Sequence, residues 1–474
     1  MSALFKFIFP TDKDLFKKVF TLATPVIISN ISRVLMGIID MAMIGHLGGA
    51  AIAGVGMGGM VTWTVISLGI AFRTGTQTFA SRRLGQKKYN ECSIAMRNMQ
   101  VFAFLIGIPI TLFFYTYTIP IMSFFLDTST DAFKSSVDYA AFGFLGTYFV
   151  YVMFIFQGFY TGIEKTKIHM KATLSANLLN LYLNIGLIFG TDSIVAFLDG
   201  SGFEFFGMAW GFYNFPAMGV KGAAIGTFIA IIWQCIHYAL YLFNDKIKIK
   251  YEVFKLNINL EMLKKQLVVA YPLAFQEILI MFSFTIFYKI LGIIGIAQLA
   301  ATQVIFKIMH ASFMPAIGVG QACATLVGKY LGEENPDKAE TAVKESLRGA
   351  FLIMGTVGVV FACFSQYIIP LFTNDESVIM YAIPGLRFVG LLQFADAVCF
   401  TLWFALTGAG DTKIPAIVDV LTHWVLFVPA CYIFGIYLGY GFWGPWVSFG
   451  LHLTVFAIFM YVRFNKGKWK TIKV

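Results

Sequence analysis

Twelve stretches of the chain are long and apolar enough to cross a bilayer as helices, and this feature limits the fold most. A bilayer core about 30 Å thick requires roughly 20 apolar residues per helix. Hydrophobic residues make up 58% of the 474 residues and charged residues only 13%. Backbone groups in lipid must pair internally, which favours helices. We therefore predict an all-α polytopic membrane protein with spans at residues 19–45, 51–72, 95–117, 139–161, 169–190, 218–243, 265–292, 298–327, 345–373, 380–407, 413–437 and 440–462.

The chain also repeats itself at an offset of 247 residues. Pro25–Gly85 aligns without a gap with Pro272–Gly332, and 11 of 61 positions are identical. The matches include the Pro, Gly and Ala positions that set helix ends and close packing. A second pair of segments, Thr161–Ile168 and Thr407–Ile414, shares Thr, Gly, Thr, Lys and Ile at matching positions. The repeat predicts two related halves, an arrangement typical of transporters.

Each half contains six predicted spans, so both halves enter the membrane from the same side. The halves should then be related by a pseudo-two-fold axis along the membrane normal, with a substrate path between them. We predict an N-terminal six-helix lobe at residues 1–243, a charged cytoplasmic linker at residues 244–264 and a C-terminal six-helix lobe at residues 265–474.

The net charge of +10 comes from bases that gather in alternate loops. One side carries Arg82, Lys165, Lys329 and Lys466, whereas the opposite side carries mainly acids such as Asp192. By the positive-inside rule both termini are predicted to be cytoplasmic. The basic excess then reflects topology and attraction to anionic lipid, and we expect no nucleic-acid partner.

Polar side chains inside the bilayer are costly, so they usually line a cavity and serve a function. The first half has Asp40 in span one, Asn177, Asn180 and Asn184 along one face of span five, and Thr227 at the start of span six. Their hard oxygen donors suit Na⁺, and a protonatable Asp40 would equally suit H⁺. We expect Asp40, Asn180, Asn184 and Thr227 to form an ion-coupling site that could hold Na⁺. The alternative for the asparagines is interhelical hydrogen bonding alone.

The second half has two intramembrane acids, Glu277 in span seven and Asp396 in span ten. We expect both to serve ion coupling, because a carboxylate in the bilayer is costly unless it is used. Bases also occur at membrane depth, with Lys307 and His310 in span eight and Arg33 in span one. The alternative is that a base forms a buried ion pair with an acid and only fixes packing. The residues expected to line a substrate cavity are Arg33, Asn177, Lys307 and His310.

One segment interrupts the repeat, at residues 191–220 between spans five and six. It is aromatic and acidic and is much longer than the matching turn of the second half. It could be a lid over the external mouth of a substrate path. It could equally be a surface loop whose aromatic residues lie at the membrane interface.

No nucleotide-binding signature is present, since the sequence lacks GxxxxGK[ST]. Active transport would then depend on an ion gradient, and we expect a carrier, not an enzyme. The six cysteines are scattered singly, without a CxxC motif or a Cys/His cluster, so neither disulfides nor a structural metal site is indicated. We expect no cofactor beyond Na⁺ or H⁺ as the coupling ion.

Six sequence segments together resemble the multidrug and toxic compound extrusion (MATE) family, in its bacterial NorM- and DinF-like branches. They are IIDMAMIGHLGG in span one, TGTQTFASRRLGQKKYNE with its counterpart ACATLVGKYLGEENPDKA, TGAGDTKIP after span ten, NLYLNIGLIFG, and GVKGAAIGTF. The resemblance covers essentially the whole chain. It implies a V-shaped pair of six-helix lobes that exports cationic or amphipathic compounds in exchange for Na⁺ or H⁺.

The resemblance also implies roles for single residues. Asp40 matches the coupling aspartate of span one, Asn180 and Asn184 match two amide-or-acid positions of span five, and Thr227 matches the hydroxyl of the N-lobe cation site. Asp396 matches the span-ten aspartate of the C-lobe cation site. Part of the family has an aspartate at position 184, so the amide here lowers the charge of the site.

The C-lobe pattern departs from the family at two positions. The aromatic residue expected one turn before Asp396 is Leu392, and the glutamate position of span seven is Ile280, with Glu277 one turn away. The bases Arg33 and Lys307 are unusual for an exporter of cations, because a base near the cavity repels them.

These features predict a secondary antiporter in the inner (cytoplasmic) membrane that exports organic cations in exchange for Na⁺ or H⁺. The alternative is a flippase or exporter of a lipid-linked, zwitterionic or anionic metabolite. The expected partners are an amphipathic small-molecule substrate and membrane lipid, with the protein acting as a monomer.

Overall fold

The computed structural model describes residues 10–199, 204–211 and 213–474, and these form helices and short connections. The helices of the first half are α1 (Lys13–Gly45), α2 (Gly49–Ile66), α3 (Leu68–Gly85), α4 (Tyr89–Thr116), α5 (Thr118–Phe125), α6 (Asp131–Leu145), α7 (Thr147–Gly162), α8 (Thr166–Phe189), α9 (Thr191–Leu198), α10 (Glu204–Gly211) and α11 (Val220–Leu242). A short helix, α12 (Asp245–Tyr251), follows in the linker.

The second half consists of fewer and longer helices. They are α13 (Leu260–Ile294), α14 (Ile296–Gly332), α15 (Pro336–Ile368), α16 (Glu376–Ala409), α17 (Lys413–Leu421), α18 (Val428–Tyr432) and α19 (Trp443–Asn465). Two π-helical stretches, Thr422–Phe427 and Ile433–Tyr437, flank α18, so that Lys413–Tyr437 forms one apolar span. Short 3₁₀ turns lie at Ile369–Leu371 and Lys468–Thr471.

The described residues contain eleven helical spans long and apolar enough to cross a membrane, and a twelfth if the bent pair α6–α7 counts as one. That pair bends by 49° at Gly146. The prediction of an all-α membrane protein is confirmed, although boundaries differ. Helix α1 begins at Lys13 instead of residue 19, and α13 begins at Leu260, inside the stretch assigned to the linker.

The ends of equivalent helices follow from equivalent residues. Asp12 caps α1 by accepting a hydrogen bond from the Leu15 backbone N–H, and Asn259, at the same repeat position, caps α13 through Met262. Short side-chain acceptors satisfy the unpaired N–H groups of a helix start. At the far end of α1, Gly48 has φ 105°, a conformation that side chains with a Cβ rarely adopt.

Among the described residues, the two halves pack together near one end only. Buried clusters that mix both halves join Val19 of α1 to Val319 of α14, and Phe79 of α3 to Val269 of α13. Farther along the helices, the clusters around Ile44, Val65 and Phe287 each contain residues of one half alone. The lobes therefore separate toward that end, which leaves a cleft between them.

The joined end is the end that carries the basic loops, and we call it the basic end. Here Glu164, between α7 and α8, forms ion pairs with Lys18 of α1 at 3.0 Å and with Lys329 of α14 at 2.9 Å. Lys329 belongs to the C-terminal half, so the Glu164–Lys329 pair connects the two lobes.

Reciprocal contacts at the joined end display a pseudo-two-fold relation. The Thr78 hydroxyl donates to the Thr407 carbonyl at 3.0 Å, and the equivalent Thr325 hydroxyl donates to the Thr161 carbonyl at 3.2 Å. A Cβ on Gly85 would overlap the Lys329 carbonyl, and one on the equivalent Gly332 would overlap the Arg82 carbonyl. When residue i meets j′ and residue j meets i′, the two units are related by a two-fold axis.

The segment that interrupts the repeat packs back onto the end of α8. The Trp210 ring stacks on Tyr182 at 5.4 Å, and its Nε1 donates to the Tyr182 carbonyl at 3.0 Å. Phe215 lies against Gly186, whose missing side chain leaves room for the ring. Residues 200–203 and 212 of this segment lie outside the described residues.

Candidate functional site

The four residues predicted for the N-lobe ion site meet at the contact of α1, α8 and α11. The Asn184 Nδ2 donates to the Asp40 carboxylate at 2.8 Å. Asn180, one turn earlier on α8, donates to Asn184 Oδ1 and to the Thr227 hydroxyl, both at 3.3 Å. Three helices thus contribute to one polar cluster in otherwise apolar surroundings.

Glycines on α11 allow this cluster to form. A Cβ on Gly226 would overlap the Asn184 side-chain oxygen, and one on Gly222 would overlap the Leu187 carbonyl. The absence of two side chains therefore lets α11 approach α8 closely, as small residues commonly do between membrane helices. Thr227, next to Gly226, comes within reach of Asn180 for the same reason.

A cavity of about 80 Å³ lies beside the cluster, lined by Asp40, Asn184, Thr227 and Tyr139, among others. Its carboxylate, amide and hydroxyl oxygens are the donors that a small hard cation or a proton requires. Tyr139 of α6 was not identified from the sequence, and a single tyrosine in an aromatic-rich span carries no signal that would have indicated it.

Asn177 lies on the same face of α8 but outside the cluster. Its Nδ2 donates to the Ser32 hydroxyl of α1 at 2.7 Å, so it links the two helices. This contact matches the alternative role considered for the asparagines, interhelical hydrogen bonding.

A group of bases occupies the N-lobe deeper toward the basic end. Arg33 of α1 and Arg73 of α3 lie within electrostatic range of each other and of His169. Arg73 is buried, has its guanidinium 5.9 Å from the Phe154 ring, and has an Nε without a hydrogen-bond partner among the described residues. Arg33 keeps accessible surface and thus borders open space. Sequence reasoning found Arg33 but missed Arg73, since span two was predicted to end at residue 72. It also missed His169, the first residue of predicted span five.

The predicted C-lobe acids occupy different surroundings. Asp396 of α16 is 2% exposed, and its Oδ2 has no hydrogen-bond partner among the described residues. Glu277 of α13 lies within electrostatic range of Arg73 across the lobe boundary and of Asp419 in α17. The structure therefore places Glu277 between the lobes.

Asp419 belongs to a buried group that the sequence did not reveal. Its carboxylate lies 3.2 Å from His423 Nδ1 and 3.9 Å from His452 Nε2, and it accepts a hydrogen bond from Gln276 Nε2 at 2.5 Å. The spacing of Asp419 and His423, four residues apart, was a usable signal. His452 is in the next span, so no spacing rule connects it to them.

Lys307 and His310 are exposed on α14 at the level where the lobes have separated. Gly318 of α14 packs against Ile27 of α1, and Lys307 lies eleven residues earlier, close to three helical turns and hence on a similar face. Lys307 therefore faces the cleft from the C-lobe side, whereas His310 is rotated away from that direction.

A model of the MatE family matches residues 25–185 and again residues 272–433. The chain belongs to the MatE family. The two MatE matches begin at residues 247 apart, which is the offset of the sequence repeat. The predicted family resemblance is thereby confirmed.

Curated MatE relatives cover almost the whole chain. A probable multidrug resistance protein NorM of Thermotoga maritima is 25% identical over 477 residues, covering 99% of this chain and 96% of the relative. The uncharacterized transporter YisQ of Bacillus subtilis is also 25% identical and covers 97% of this chain and 96% of its own.

Solved MATE structures share the fold. A MATE transporter in the straight conformation superposes with a TM-score of 0.84 at 21% identity, covering 97% of each chain. An outward-facing multidrug resistance MATE transporter gives 0.82 at 21% identity, again covering 97% of each chain. A transporter of Pyrococcus furiosus, described as having a binding pocket of reverse polarity, gives 0.82 at 20% identity and 97% of each chain. The chain is thus a MatE-family membrane protein with the MATE fold.

Proposed function

We propose that the protein is a secondary antiporter that exports amphipathic organic cations across the cytoplasmic membrane in exchange for Na⁺ or H⁺. It acts as a monomer with its basic end and both termini in the cytoplasm, so the cleft opens outward. Relatives named as multidrug resistance proteins support this class of substrate. The observation that carries the proposal is the Asp40 carboxylate, joined to Asn184 beside a small cavity lined by hard oxygen donors.

Ion binding at Asp40 changes the connection between α1 and α8. In the ionised form, the carboxylate accepts the N–H of Asn184. A proton turns the carboxyl group into a donor, and Na⁺ requires oxygens in place of an N–H. Na⁺ bound at this oxygen therefore requires the Asn184 amide to rearrange, whereas a proton on the other carboxyl oxygen leaves the amide in place and weakens its hydrogen bond by removing the negative charge. Either change alters the link between α1 and α8, and α1 also packs against α14 of the other lobe.

The membrane potential drives such export when one more unit of ion charge enters than substrate charge leaves, because a one-for-one exchange of monovalent cations moves no net charge. One elementary charge crossing 100 mV supplies about 2.3 kcal/mol, which sustains roughly a fiftyfold gradient of substrate. No nucleotide is needed on this account.

The test is efflux of a fluorescent organic cation from reconstituted vesicles, with a proton gradient and a sodium gradient imposed separately. Asp40→Asn and Asp396→Asn are run alongside. Asp131→Asn is the matched control, since Asp131 lies exposed in the first turn of α6. We expect export driven by one ion, lost in Asp40→Asn and retained in Asp131→Asn.

Normal export by folded Asp40→Asn would remove this residue from the mechanism. Loss of export in Asp396→Asn alone would assign ion coupling to the C-lobe. Export by neither gradient in folded wild-type protein would contradict the transport of organic cations.

A second candidate, export of an anionic or zwitterionic compound, is favoured by Arg33 and Arg73. Arg73 is a buried cation without an ion pair among the described residues, and such a group attracts a carboxylate or phosphate. The Pyrococcus furiosus transporter, which has the same fold, is described as having a binding pocket of reverse polarity.

The two candidates differ in their response to Arg73→Gln. If the substrate is anionic, this change abolishes efflux of an anionic dye, while Arg387→Gln, which alters a base bonded to Ser365 near the opposite end, does not. If the substrate is cationic, Arg73→Gln leaves cation efflux intact or increases it.

A further inference from the structure

We infer that Asp419, His423 and His452 form a binding site for a divalent transition-metal ion of the Zn²⁺, Co²⁺ or Ni²⁺ class. Each residue offers a ligand atom, and the three atoms lie within 4.8 Å of one another. All three side chains are buried, with 7%, 4% and 2% of their surface exposed. The site lies in the C-lobe and is separate from the Asp40 cluster.

The donor set matches this class of metal. Two imidazoles and one carboxylate suit Zn²⁺, Co²⁺ and Ni²⁺, whereas Mg²⁺ and Ca²⁺ prefer oxygen ligands alone. Ligand atoms around a tetrahedral Zn²⁺ lie roughly 3.4 Å apart. Asp419 Oδ1 lies 3.9 Å from His452 Nε2, so only a small approach of the two side chains is needed.

The hydrogen bonds of His423 also suit a ligand. Its Nδ1 lies 2.9 Å from the backbone carbonyl of Asp419. A proton on Nδ1 donates to that carbonyl and leaves the lone pair on Nε2, as in most metal-bound histidines. The His423 and His452 ring centres are 4.0 Å apart, so the two imidazoles are in contact.

One buried polar atom beside the cluster, Gln276 Oε1, lacks a partner among the described residues. Gln276 reaches the cluster by donating its Nε2 to Asp419. Buried polar atoms normally have partners, and a bound cation would supply one for this oxygen. Three protein ligands with one further position is the arrangement of an open zinc site.

Among the described residues, the Asp419 carboxylate has no lysine or arginine beside it. It contacts an amide and two imidazoles. Glu277 lies within electrostatic range of Asp419, and Arg73 lies within range of Glu277. An uncompensated carboxylate inside the bilayer is costly. A divalent cation provides the compensation.

The backbone at the site is irregular in a manner common at functional sites. His423 lies in the π-helical stretch Thr422–Phe427, immediately after α17. Such π-helical turns are rare and lie frequently at functional sites. In this turn His423 contacts His452 of α19.

The test uses the full chain in detergent, without a histidine tag and freed of metal by a chelator. Co²⁺ is titrated while its visible d–d absorption is followed, and Zn²⁺ is then added in competition. We expect one Co²⁺ per chain in tetrahedral geometry, displaced by Zn²⁺. His452→Phe and Asp419→Asn should each weaken binding at least about tenfold. His46→Phe, which removes a histidine at the end of α1, is the matched control and should bind like the wild type.

A second measurement needs no variant. Zn²⁺ should raise the unfolding temperature of the wild type, because a ligand bound only by the folded state stabilises it, and Mg²⁺ should not. Absence of a Co²⁺ spectrum together with no effect of Zn²⁺ on unfolding would overturn the inference. Unchanged Co²⁺ binding in folded His452→Phe and Asp419→Asn would overturn it equally.

Discussion

Asp40 and Asn184 illustrate how much a site inside the membrane depends on the residues that surround it. Their contact forms because Gly226 lacks a side chain at the point where α11 passes α8. The chemistry of the site therefore depends on a residue that itself binds nothing.

Gly226→Ala should damage the N-lobe site without changing any polar group. The added Cβ overlaps the Asn184 oxygen, and overpacking of this kind costs about 1–3 kcal/mol. We expect a lower unfolding temperature and weaker ion-coupled efflux from vesicles.

Gly56→Ala is the matched control for this change. A Cβ on Gly56 meets no atom within 4 Å, and alanine favours a helix over glycine by up to about 1 kcal/mol. The control should remain as stable and active as the wild type. Full stability and activity of Gly226→Ala would contradict the proposed packing.

Among the elements, the short helices α9 and α10 decide between the two roles considered for the segment at residues 191–220. The Trp210 ring and its indole N–H hold α10 against the end of α8. This docking favours a surface segment over a mobile lid across the cleft.

Trp210→Ala should therefore loosen the segment but leave transport intact. The change removes a stacked ring and one hydrogen bond, and stacked aromatic pairs contribute about 0.5–1.5 kcal/mol beyond their buried area. We expect faster limited proteolysis within residues 191–220 and an unchanged rate of efflux. A marked loss of efflux, or a change in the substrates accepted, would instead indicate a lid.

Element boundaries also explain what sequence reasoning missed. Span two was predicted as residues 51–72, yet α3 continues to Gly85, and Thr74–Ser81 is buried, partly against the other lobe. Arg73 consequently lay one residue beyond the predicted span. Hydropathy identifies the part of a helix that faces lipid, whereas the part of α3 beyond residue 72 is polar and faces protein.

In the whole molecule, the connection between the lobes depends on the Glu164 ion pairs and on the reciprocal threonine hydrogen bonds. Burial by itself would raise the pKa of Glu164, but Lys18 and Lys329 outweigh burial and lower it. Because the pKa of Glu164 is lowered, its ion pairs stabilise the joined state in full at any pH above the ordinary pKa of glutamate. This contribution is lost as the pH falls through the lowered pKa.

The distance between the lobes at the basic end should therefore increase in acid and stay constant at neutral and alkaline pH. We expect no change between pH 8 and pH 5 and a loosening below about pH 4, since the ordinary pKa of glutamate is about 4.3. Spin labels on the two lobes at this end would measure the distance. Glu164→Gln should abolish the acid step and, at neutral pH, weaken closure by only about 0–1 kcal/mol because the pairs are partly exposed.

Glu91→Gln is the control for the pH experiment. Glu91 pairs with Arg83 and Lys88, all within one lobe, so its loss should leave the acid step in place. An acid step that persists in Glu164→Gln would assign the effect to another group.

The sequence by itself determined the helical membrane fold, the two related halves and the residues of the Asp40 cluster. Hydropathy specifies helices because lipid offers no other partner to the backbone. The repeat specifies a two-fold relation because equivalent residues, such as Thr78 and Thr325, make equivalent contacts. The Asp40 cluster was found through segments that resemble a known family.

Only the tertiary structure decided which polar residues meet and where the lobes join. In the folded chain Asn177 donates a hydrogen bond to Ser32, and Glu277 lies between the lobes. The fold also brings His452 of α19 close to Asp419. Helices that are apolar on all sides carry no periodic signal for the direction each face takes. That rotation is set by close packing at small residues such as Gly226 and Gly318, where neighbouring helices touch, and the packing depends on residues far apart in the chain.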